Sequence, residues 1–566
     1  MHTTKLILIC LIILQFCCNF IYAQDIEQIV DNKPIVIKGG LNANATYYYT
    51  NGSESQRDPF MWVLNGNFNL SFFGVVNAPF SFILSPENKS FNQPSYQKVG
   101  ISPQYKSVTL HLGYRNLNFS KYTLSGITFL GAGFEYSPVK SLFKIKGFYG
   151  RFARAEQYIP LSVFDEGQIY VPPSYERWGY GTMLTVGKKD HLVDIIVFKA
   201  EDQSQSINVP DSIELFPEEN FVLGLNTHNK LFDILSLDIN YAISAYSSDI
   251  RQDEVHQDTY SYANNLGFLF TPRTSSKFNN VLDVGLNLSP GKFNLGVNFL
   301  RIDSEYASMG TAFINNDRQE LTGNISTNLF KNKVSLAGSI GLQHNNLDKT
   351  KIVTNKRLIS SFNFSWLINQ QLSVTANLSN FNANVTPVRV YMVDSIKYSQ
   401  LTQNAGINAM YNFGDSIFQH GITAIASYQY GNTLNQTGTE VTDITNTFIN
   451  TNVSYRLGYM PLDISFVLSV NYSSFASLDV VTNSIGPSIG INKQFLKRKL
   501  NTGLTATYLN SFGENTDSQV YNIRFYSSYN VTKHHKFTLG MNVLSRKSSL
   551  SKAFHYQANV AYSFLF

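Results

Sequence analysis

The sequence ends on Phe554-His-Tyr-Gln-Ala-Asn-Val-Ala-Tyr-Ser-Phe-Leu-Phe566, and this stretch decides the fold. Every second residue in it is apolar or aromatic, and the residues between are mostly polar or small. The alternating apolar set is Phe554, Tyr556, Ala558, Val560, Tyr562, Phe564 and Phe566. Since successive side chains of a β-strand point to opposite faces, one face can meet lipid while the other meets a wet interior. The pattern therefore predicts a transmembrane β-strand.

The position of this strand at the C-terminus is a second indication. A chain that stops on such a strand, with an aromatic last residue, resembles the bacterial outer-membrane β-barrels, whose closing strand carries a signal read by the barrel-assembly machinery. The resemblance implies that Tyr562, Phe564 and Phe566 form this signal, and that the assembly machinery is a partner during insertion. It also implies that outer-membrane lipid and lipopolysaccharide of a Gram-negative bacterium surround the finished barrel.

The N-terminus has the organisation of a secretory signal peptide. Lys5 precedes an apolar run that extends to Phe20, and a small residue, Ala23, stands before Gln24. We expect cleavage between Ala23 and Gln24. The chain then divides into a signal peptide (1–23), a short periplasmic segment (24–33) and an outer-membrane barrel (34–566).

All three cysteines lie inside the predicted signal peptide, at Cys10, Cys17 and Cys18. The mature chain would therefore have no disulfide, no thiolate metal ligand and no thiol nucleophile. The alternative is a lipoprotein acylated at Cys17 or Cys18. The bulky Phe16 before these cysteines disfavours it, because small residues are expected there.

The composition also favours a membrane-embedded β protein. Aromatic residues make up 14% of the chain and charged residues only 15%, below the ~25% of typical soluble domains. The mean hydropathy is −0.12, and no apolar run after residue 23 approaches the roughly 18 residues that a spanning helix needs. Strands that cross a membrane must close into a barrel, because hydrocarbon offers no partner to unpaired backbone groups.

The alternation recurs along the chain, for example over 292–299, 372–379, 500–508 and 537–543. The connections between the alternating segments are by turns short and long. The predicted long connections are 153–176, 201–219, 248–275, 303–317, 345–355 and 383–399. Short periplasmic turns and long extracellular loops are typical of transmembrane barrels, so we predict an up-and-down antiparallel barrel.

The number of strands follows less directly. We count 21 candidates from Thr128 onward and four before it, near 35–49, 60–75, 79–86 and 104–115. A chain with both ends in the periplasm needs an even number, so one N-terminal segment is miscounted. We predict 24 strands, with 22 and 26 as alternatives. The segment 87–130 is where the count fails, and we expect it to fold partly into the lumen.

Charge is unevenly distributed between the two kinds of connection. The loop 201–219 carries six acids and no base. The short turns carry mainly bases, namely Lys140, Lys188, Lys189, Lys230, Lys292, Lys331, Lys333, Lys497, Arg498, Lys499, Lys533 and Lys536. One interpretation is an acidic external mouth that favours cations. The other is that every exposed connection is polar and the sign of its charge has no function.

Candidate catalytic or metal-binding residues are few. Gly486-Pro-Ser-Ile-Gly490 matches the nucleophile elbow, but Ser488 lies in an alternating strand, whereas the elbow needs a strand-to-helix turn. The loop 249–258 contains Asp253, Glu254, His256 and Asp258, which suit a cation site or an acid–His hydrolase, and suit a solvated loop better. His534 and His535 are flanked by lysines that disfavour a metal.

Short matches of another kind add little. Three Asp-Ser-Ile triplets, at Asp211, Asp394 and Asp415, resemble the O-glycosylation sequon of Bacteroidota, and triplets of this kind often arise by chance. The sequence shows no zinc, phosphate-loop or nucleic-acid-binding pattern. We therefore expect no cofactor, no bound metal, no nucleic-acid partner and no enzymatic activity.

One region resembles a known group of proteins. The segments Val99–Arg115, Thr128–Phe134 and Gly147–Phe152 resemble a set of uncharacterised outer-membrane β-barrels of Bacteroidota. The resemblance covers about a tenth of the chain and implies a phylum and a compartment, without an activity. Arg115, Arg151 and Arg154 are its most suggestive charged residues, and we expect them to pair within the barrel wall or snorkel.

Two functions remain open at this level. A barrel of this size encloses more space than its side chains fill, which favours a porin-like channel for small solutes. The predicted inward residues are mainly Asn, Ser, Thr, Gly and Gln, which suit water and neutral solutes. The alternative is a plugged, non-conducting barrel. Such a barrel would be a scaffold or accessory of a secretion, gliding or surface assembly, with a surface lipoprotein as one kind of partner.

Overall fold

The structure of the protein is a computed structural model. It describes residues 33–51, 59–86, 97–139, 141–160, 171–210, 212–255, 267–387, 396–437, 440–478, 480–513, 517–548 and 551–566. The predicted signal peptide and its cleavage site at Ala23 and Gln24 lie outside these residues.

The described residues form a single closed antiparallel sheet. Apart from two short segments near the N-terminus, each strand pairs with its neighbours in sequence, and the last strand pairs with the first over Gly40–Asn51 and Phe554–Leu565. The described strands therefore leave no open edge, and their ladders are paired within the wall. The predicted up-and-down barrel is confirmed.

The strands vary from short segments near the N-terminus to very long ones in the middle of the chain. The first eleven are β1 (Ile35–Asn51), β2 (Phe60–Phe72), β3 (Val76–Leu84), β4 (Gln97–Ile101), β5 (Gln104–Tyr105), β6 (Val108–Arg115), β7 (Phe129–Tyr136), β8 (Phe143–Ala153), β9 (Arg177–Lys188), β10 (His191–Asp202) and β11 (Glu219–Leu231). The next eight are β12 (Leu235–Ser247), β13 (Ser276–Leu288), β14 (Phe293–Ile302), β15 (Arg318–Leu329), β16 (Val334–His344), β17 (Val353–Leu367), β18 (Leu372–Pro387) and β19 (Ile396–Gly414).

The last eight strands complete the wall and return to β1. They are β20 (Phe418–Thr437), β21 (Glu440–Tyr459), β22 (Ile464–Ser477), β23 (Val480–Phe495), β24 (Leu500–Gly513), β25 (Ser518–Asn530), β26 (His535–Ser548) and β27 (Lys552–Leu565). Two 3₁₀ turns, Gly267–Leu269 and Met460–Leu462, are the helical elements of the described chain. Neither is long or apolar enough to cross a membrane.

The strand number differs from the predicted 24. The segments β4 and β5 both pair with β3 and β6, so they share one position, and the 27 segments fill 26 positions. All 21 candidates after Thr128 are strands, so the error lies before them. The predicted strand 104–115 is two strands, because the chain reverses at Lys106, whose φ is +51°. A left-handed turn residue is usually Gly or Asn, so a lysine there gives no signal in the sequence.

The alternation of the sequence becomes the two faces of the wall. In β14, Phe293, Leu295 and Val297 are 44%, 39% and 52% exposed on the outer face, as expected for side chains that meet lipid. Asn294, Gly296 and Asn298 occupy the inner face between them. The same holds in β27, where Phe554 and Val560 face outward.

From the first strand to β17, long connections lie at one end of the barrel and short connections at the other. We call these ends the turn rim, where β2 and β3 are joined by 73–75, and the loop rim, where β8 and β9 are joined by 154–176. The predicted long connection 383–399 is shorter than expected, because β18 and β19 extend into it and leave 388–395 between them. From β18 onward, the strands are longer at the loop rim, and the connections between them there are correspondingly short.

Large buried apolar side chains are confined to one half of the barrel. Among the described residues, every buried apolar side chain larger than alanine lies between Leu117 and Met309. We call β7–β14 with the segments 116–128 and 303–317 the packed half, and β16–β27 with β1–β3 the bare half. Buried apolar residues of the bare half are the small Ala78 and Ala383.

Candidate functional site in the barrel lumen

Two connections of the loop rim fold into the barrel and bind one another. Ser125 and Thr311 form a parallel bridge between segments 116–128 and 303–317, and the Ser125 amide donates to the Gly310 carbonyl at 2.8 Å. Ser308 Oγ donates to the Thr123 carbonyl at 2.6 Å, and Tyr306 Oη donates to the Tyr122 carbonyl at 2.7 Å. The predicted inward folding of part of 87–130 therefore applies to residues 116–128, whereas 97–115 belongs to the wall.

This inner block packs against the inward side chains of the packed half. Leu124 and Phe129 are fully buried with Phe198 of β10, in a cluster that also contains Tyr306 and Met309. Phe198 points from the wall toward the two connections, and Phe148 and Phe152 stack on it at ring-centroid distances of 6.4 and 6.1 Å. The block is therefore held as a protein core is, by close-packed apolar contacts.

A glycine permits the closest approach within this block. A Cβ atom on Gly310 would lie 2.2 Å from the Thr123 carbonyl oxygen and 2.8 Å from Cζ of Phe198. Any larger residue would push segment 303–317 away from segment 116–128 and from the wall.

Two buried polar side chains fasten the block to the wall. Asn220 donates to Ser244 Oγ at 2.8 Å and to the Ala307 carbonyl at 3.4 Å, and it accepts from the Met309 amide at 3.0 Å. Asp283 accepts from Tyr122 Oη at 2.8 Å and forms an ion pair with Lys121. Burial and then the Asp283 carboxylate raise the pKa of Tyr122 above its ordinary value, so its hydroxyl remains a donor.

The acids of loop 201–219 are largely neutralised by bases of neighbouring elements. On the inner face, Arg177 pairs with Asp202 at 2.7 Å and with Glu218 at 2.8 Å. On the outer face, Glu219 pairs with Lys199 at 2.9 Å and with Arg273 at 2.9 Å, and Glu201 lies 3.5 Å from Lys199. These ion pairs reduce the charge with which the loop rim could attract cations.

The charged side chains on the inner face of the bare half are predominantly basic. Its strands contain two acids, Glu440 and Asp443, both at the loop-rim end of β21. The strand register places six bases on the inner face, namely Lys38, Arg357, Arg456, Arg524, Lys536 and Arg546. The inward residues between these bases are mainly Asn, Ser, Thr and Gly. The wall of this half is thus polar and positive.

The predicted assembly-signal residues lie together at the turn rim. Tyr562, Phe564 and Phe566 share the outer face, where Phe564 and Phe566 meet edge to face at 4.7 Å. Phe566 also contacts Phe68 of β2 at 5.2 Å, and its amide donates to the Gly39 carbonyl at 2.9 Å. The last residue therefore joins the aromatic surface on the far side of the seam. Its role as a signal stays a prediction.

The structure describes only part of the candidate catalytic residues. Ser488 lies on the inner face of β23, and its Oγ accepts from Thr507 at 3.1 Å, with no hydrogen bond to an acid or imidazole of the described residues. The backbone carbonyl of Asp253 accepts from the Thr274 amide, and the backbones of Glu254 and Arg273 form an isolated antiparallel β-bridge. His256 and Asp258 lie outside the described residues.

The candidate histidines and the triplets have structural partners. His535 Nδ1 lies 2.8 Å from Tyr562 Oη, and His534 Nδ1 lies 2.8 Å from the Leu565 carbonyl oxygen. Asp415 accepts from the amides of Ile417 and Phe418 and so closes a short turn. Asp211 and Asp394 are outside the described residues. Across the part of the chain that the structure describes, no cluster of three or more His, Cys, Asp and Glu side chains could hold a metal.

Arg115, Arg151 and Arg154, the arginines in or near the segments that resemble Bacteroidota barrels, pair with neighbouring residues of the barrel, as expected. Arg115 donates to Ser81 Oγ at 2.6 Å and to the Pro79 carbonyl at 3.0 Å. Arg151 pairs with Glu176 at 3.0 Å, and Arg154 donates to Tyr114 Oη at 3.2 Å.

Sequence reasoning missed a group of residues at the junction of the two halves. Arg318, Gln343, Lys351, Asn355 and Arg357 line one cavity beside segment 303–317. They come from three strands and a loop, so their proximity has no signal in sequence spacing. The scarcity of acids after residue 353 was visible, but its meaning depends on which face the bases occupy.

Comparison with known proteins adds likenesses of low similarity. No protein-family model matches the chain, and no curated protein matches it. Among solved structures, the FrpB iron transporter from Neisseria meningitidis is 13% identical, with a TM-score of 0.36 over 96% of this chain and 84% of that chain. The outer-membrane protein OprD from Pseudomonas aeruginosa is 11% identical, with a TM-score of 0.33 over 62% of this chain and 91% of that chain. Similarity of this size does not define a function.

Proposed function

We propose that this chain is a channel of the bacterial outer membrane that passes small polar solutes, and that it favours anions over cations. The observation that carries the proposal is the inner face of the bare half, where the described residues place no apolar layer over the polar and basic side chains. A face of this kind is stable against water and would be costly to bury.

The size of the barrel supports a conducting lumen. Twenty-six strands about 4.8 Å apart and tilted by about 40° give a circular wall roughly 50 Å across. Inward side chains reach only a fraction of that distance. The inner block covers the wall of the packed half, and the described residues place no comparable layer on the other half.

The preference for anions follows from charge. The expectation from sequence alone was passage of neutral solutes, with cations favoured if the acidic loop had a function. The ion pairs of Arg177, Lys199 and Arg273 with that loop, and the bases of the bare half, favour the opposite sign. A positive wall raises the local concentration of anions and lowers that of cations.

Planar-bilayer recording of the mature barrel (24–566) tests this proposal. Stable single-channel steps, with a reversal potential in a KCl gradient that indicates chloride preference, are the expected result. Folded protein that produces no steps would overturn the channel, and cation preference would overturn the assigned selectivity. Heat-dependent mobility in gels is the control for folding.

A second candidate is a plugged scaffold for a secretion, gliding or surface assembly, and the inner block is the observation that favours it. Its apolar core and buried asparagine are more than a pore constriction needs. A silent but folded barrel that retains a bound lipoprotein through purification would favour this function. We expect no enzymatic activity for either candidate.

A further inference from the structure

The junction of the two halves contains a partly open polar cavity that faces the lumen. It lies between segment 303–317 and strands β15–β17 and has a volume of ≈180 Å³. A cavity of this size can hold several water molecules or one small organic acid. Its lining is polar throughout, and its residues are Asn315, Asn316, Asp317, Arg318, Gln343, Asn345, Lys351, Asn355 and Arg357.

Charge in this cavity is positive after its internal pairing is taken into account. Asp317 is 2% exposed, forms an ion pair with Lys351 and accepts from the Leu347 amide at 2.9 Å. The acid is therefore used to hold the loop, and it neutralises the lysine. Arg318 has one distant partner, Glu320 at 3.8 Å. Arg357 has no ion pair among the described residues.

The guanidinium of Arg357 is held in place without being neutralised. It lies over the ring of Phe381 at 6.0 Å and donates a long hydrogen bond of 3.4 Å to Gln343 Oε1. A planar guanidinium fixed by an aromatic ring is well suited to bind a carboxylate through two parallel hydrogen bonds. The register of β15, β16 and β17 places Glu320, Gln343 and Arg357 in one row across the inner face.

The polar atoms around this guanidinium are incompletely satisfied by the protein. Nε of Arg318, Nε of Arg357 and Oδ1 of Asn355 are buried without a hydrogen-bond partner among the described residues. Three such atoms in a single cavity are unusual, because buried polar atoms are nearly always paired. The other such atoms of the described chain belong to residues of the wall strands.

We infer that this cavity is a binding site for a small carboxylate anion, with Arg357 as its principal residue and Arg318 and the amides as further contacts. The inference rests on the proposed channel, since the cavity opens to the lumen. It goes beyond that proposal because it assigns a saturable site to one class of solute. A wall of positive charge by itself would attract all small anions equally.

Succinate is the probe, and 1,4-butanediol is the neutral control of the same chain length. Titration calorimetry of the detergent-solubilised barrel is expected to show saturable succinate binding, with no binding of butanediol. Replacement of Arg357 by glutamine should weaken succinate binding about tenfold or more, since hydrogen bonds to charged groups contribute ~1.5–3 kcal/mol. Arg357→Lys should recover only part of this loss, because an ammonium cannot bind in a bidentate manner.

The matched control is Lys356→Gln. Lys356 is the neighbour of Arg357 on the outer face of β17, so its replacement removes the same charge without touching the cavity. Equal weakening by both substitutions would overturn the site, as would an absence of saturable succinate binding. Tighter binding of inorganic phosphate than of succinate would overturn the assignment to carboxylates.

Single-channel conductance in KCl separates the two proposals. Because calorimetry does not depend on conduction, succinate binding by a silent barrel would leave the site standing and overturn the channel. Conductance without succinate binding would do the reverse.

Discussion

The packed half and the bare half are built from strands of the same kind, but their inner faces differ in the residues between the polar positions. In the packed half, large apolar side chains such as Phe198 and Ile196 point inward and are covered by the inner block. In the bare half, the corresponding positions are mainly Asn, Ser, Thr and Gly, and bases outnumber acids on the inner face. The comparison teaches that connections fold onto a barrel wall where its inward residues offer an apolar surface for them to pack against.

The largest expected difference concerns inward aromatic residues. Phe198→Ala should lower the free energy of unfolding by about 3–5 kcal/mol, because it opens a cavity in a close-packed core. Phe448→Ala, in the bare half, should cost less than about 1 kcal/mol, because Phe448 is 37% exposed on the inner face. Urea titration of both variants in phospholipid vesicles measures the two values. Equal losses would show that the two halves do not differ in packing.

Replacement of a side-chain amide should also lower the free energy of unfolding more in the packed half than in the bare half, by a smaller amount than for the aromatic residues. Asn220→Ala should cost about 1–3 kcal/mol and should speed amide hydrogen exchange in 303–317, because it leaves the Met309 amide and Ser244 without their partner. Asn452→Ala, on the inner face of β21, is the control and should stay within about 0.5 kcal/mol. Unchanged exchange in segment 303–317 would contradict the role of Asn220 as its fastener.

Ion selectivity should depend on the bare half. Replacement of Arg456, Arg524 and Arg546 by glutamine is expected to bring the chloride-to-potassium permeability ratio several-fold closer to one, because three positive charges leave the lumen wall. Replacement of Lys356, Lys493 and Lys547, which the register places on the outer face, removes the same charge and should have little effect. If both triple variants behave alike, selectivity does not arise at the inner face.

The smallest expected effect is a local loss of stability around Asp317 at low pH. Burial acts to raise the pKa of Asp317, but the hydrogen bonds from Lys351 and from the Leu347 and Asn346 amides outweigh it and lower the pKa. A depressed pKa stabilises the fold above the unfolded value of about 3.9, and this contribution is lost as the pH falls through the folded pKa. The protection factor of segment 345–352, which is the intrinsic exchange rate at each pH divided by the observed rate, should therefore fall below about pH 4. In Asp317→Asn, the protection factor should be low already at pH 7 and should no longer change over this range.

Much of the wall was readable from the sequence. The alternation in β14 and β27 predicted which residues face outward. The lengths of the connections predicted which end of the barrel each connection lies at. The predicted number of strands was wrong at the turn of Lys106, because a lysine with a left-handed backbone conformation is not a residue that usually signals a turn in the sequence. The reach of β18 and β19 was also underestimated, since polar residues suit a strand above the membrane as well as a loop.

The cavity was out of reach of sequence reasoning for a different reason. Arg318, Lys351 and Arg357 are separated by other strands and loops along the chain, and their proximity depends on how β15, β16 and β17 are aligned. The same alignment decides that Arg357 faces the lumen while Lys356 faces outward. A shift of one residue in register would exchange the two.

The sequence by itself determined that this protein is a membrane-spanning antiparallel barrel, because strand alternation and the need to pair every backbone group leave no other solution. Only the tertiary structure decided that one half of the lumen is filled by two of the protein's own connections and that the other is polar and positive. The physical reason is that alternation is a local property of neighbouring residues. What covers an inward face depends on contacts between residues as far apart as Thr123 and Gly310.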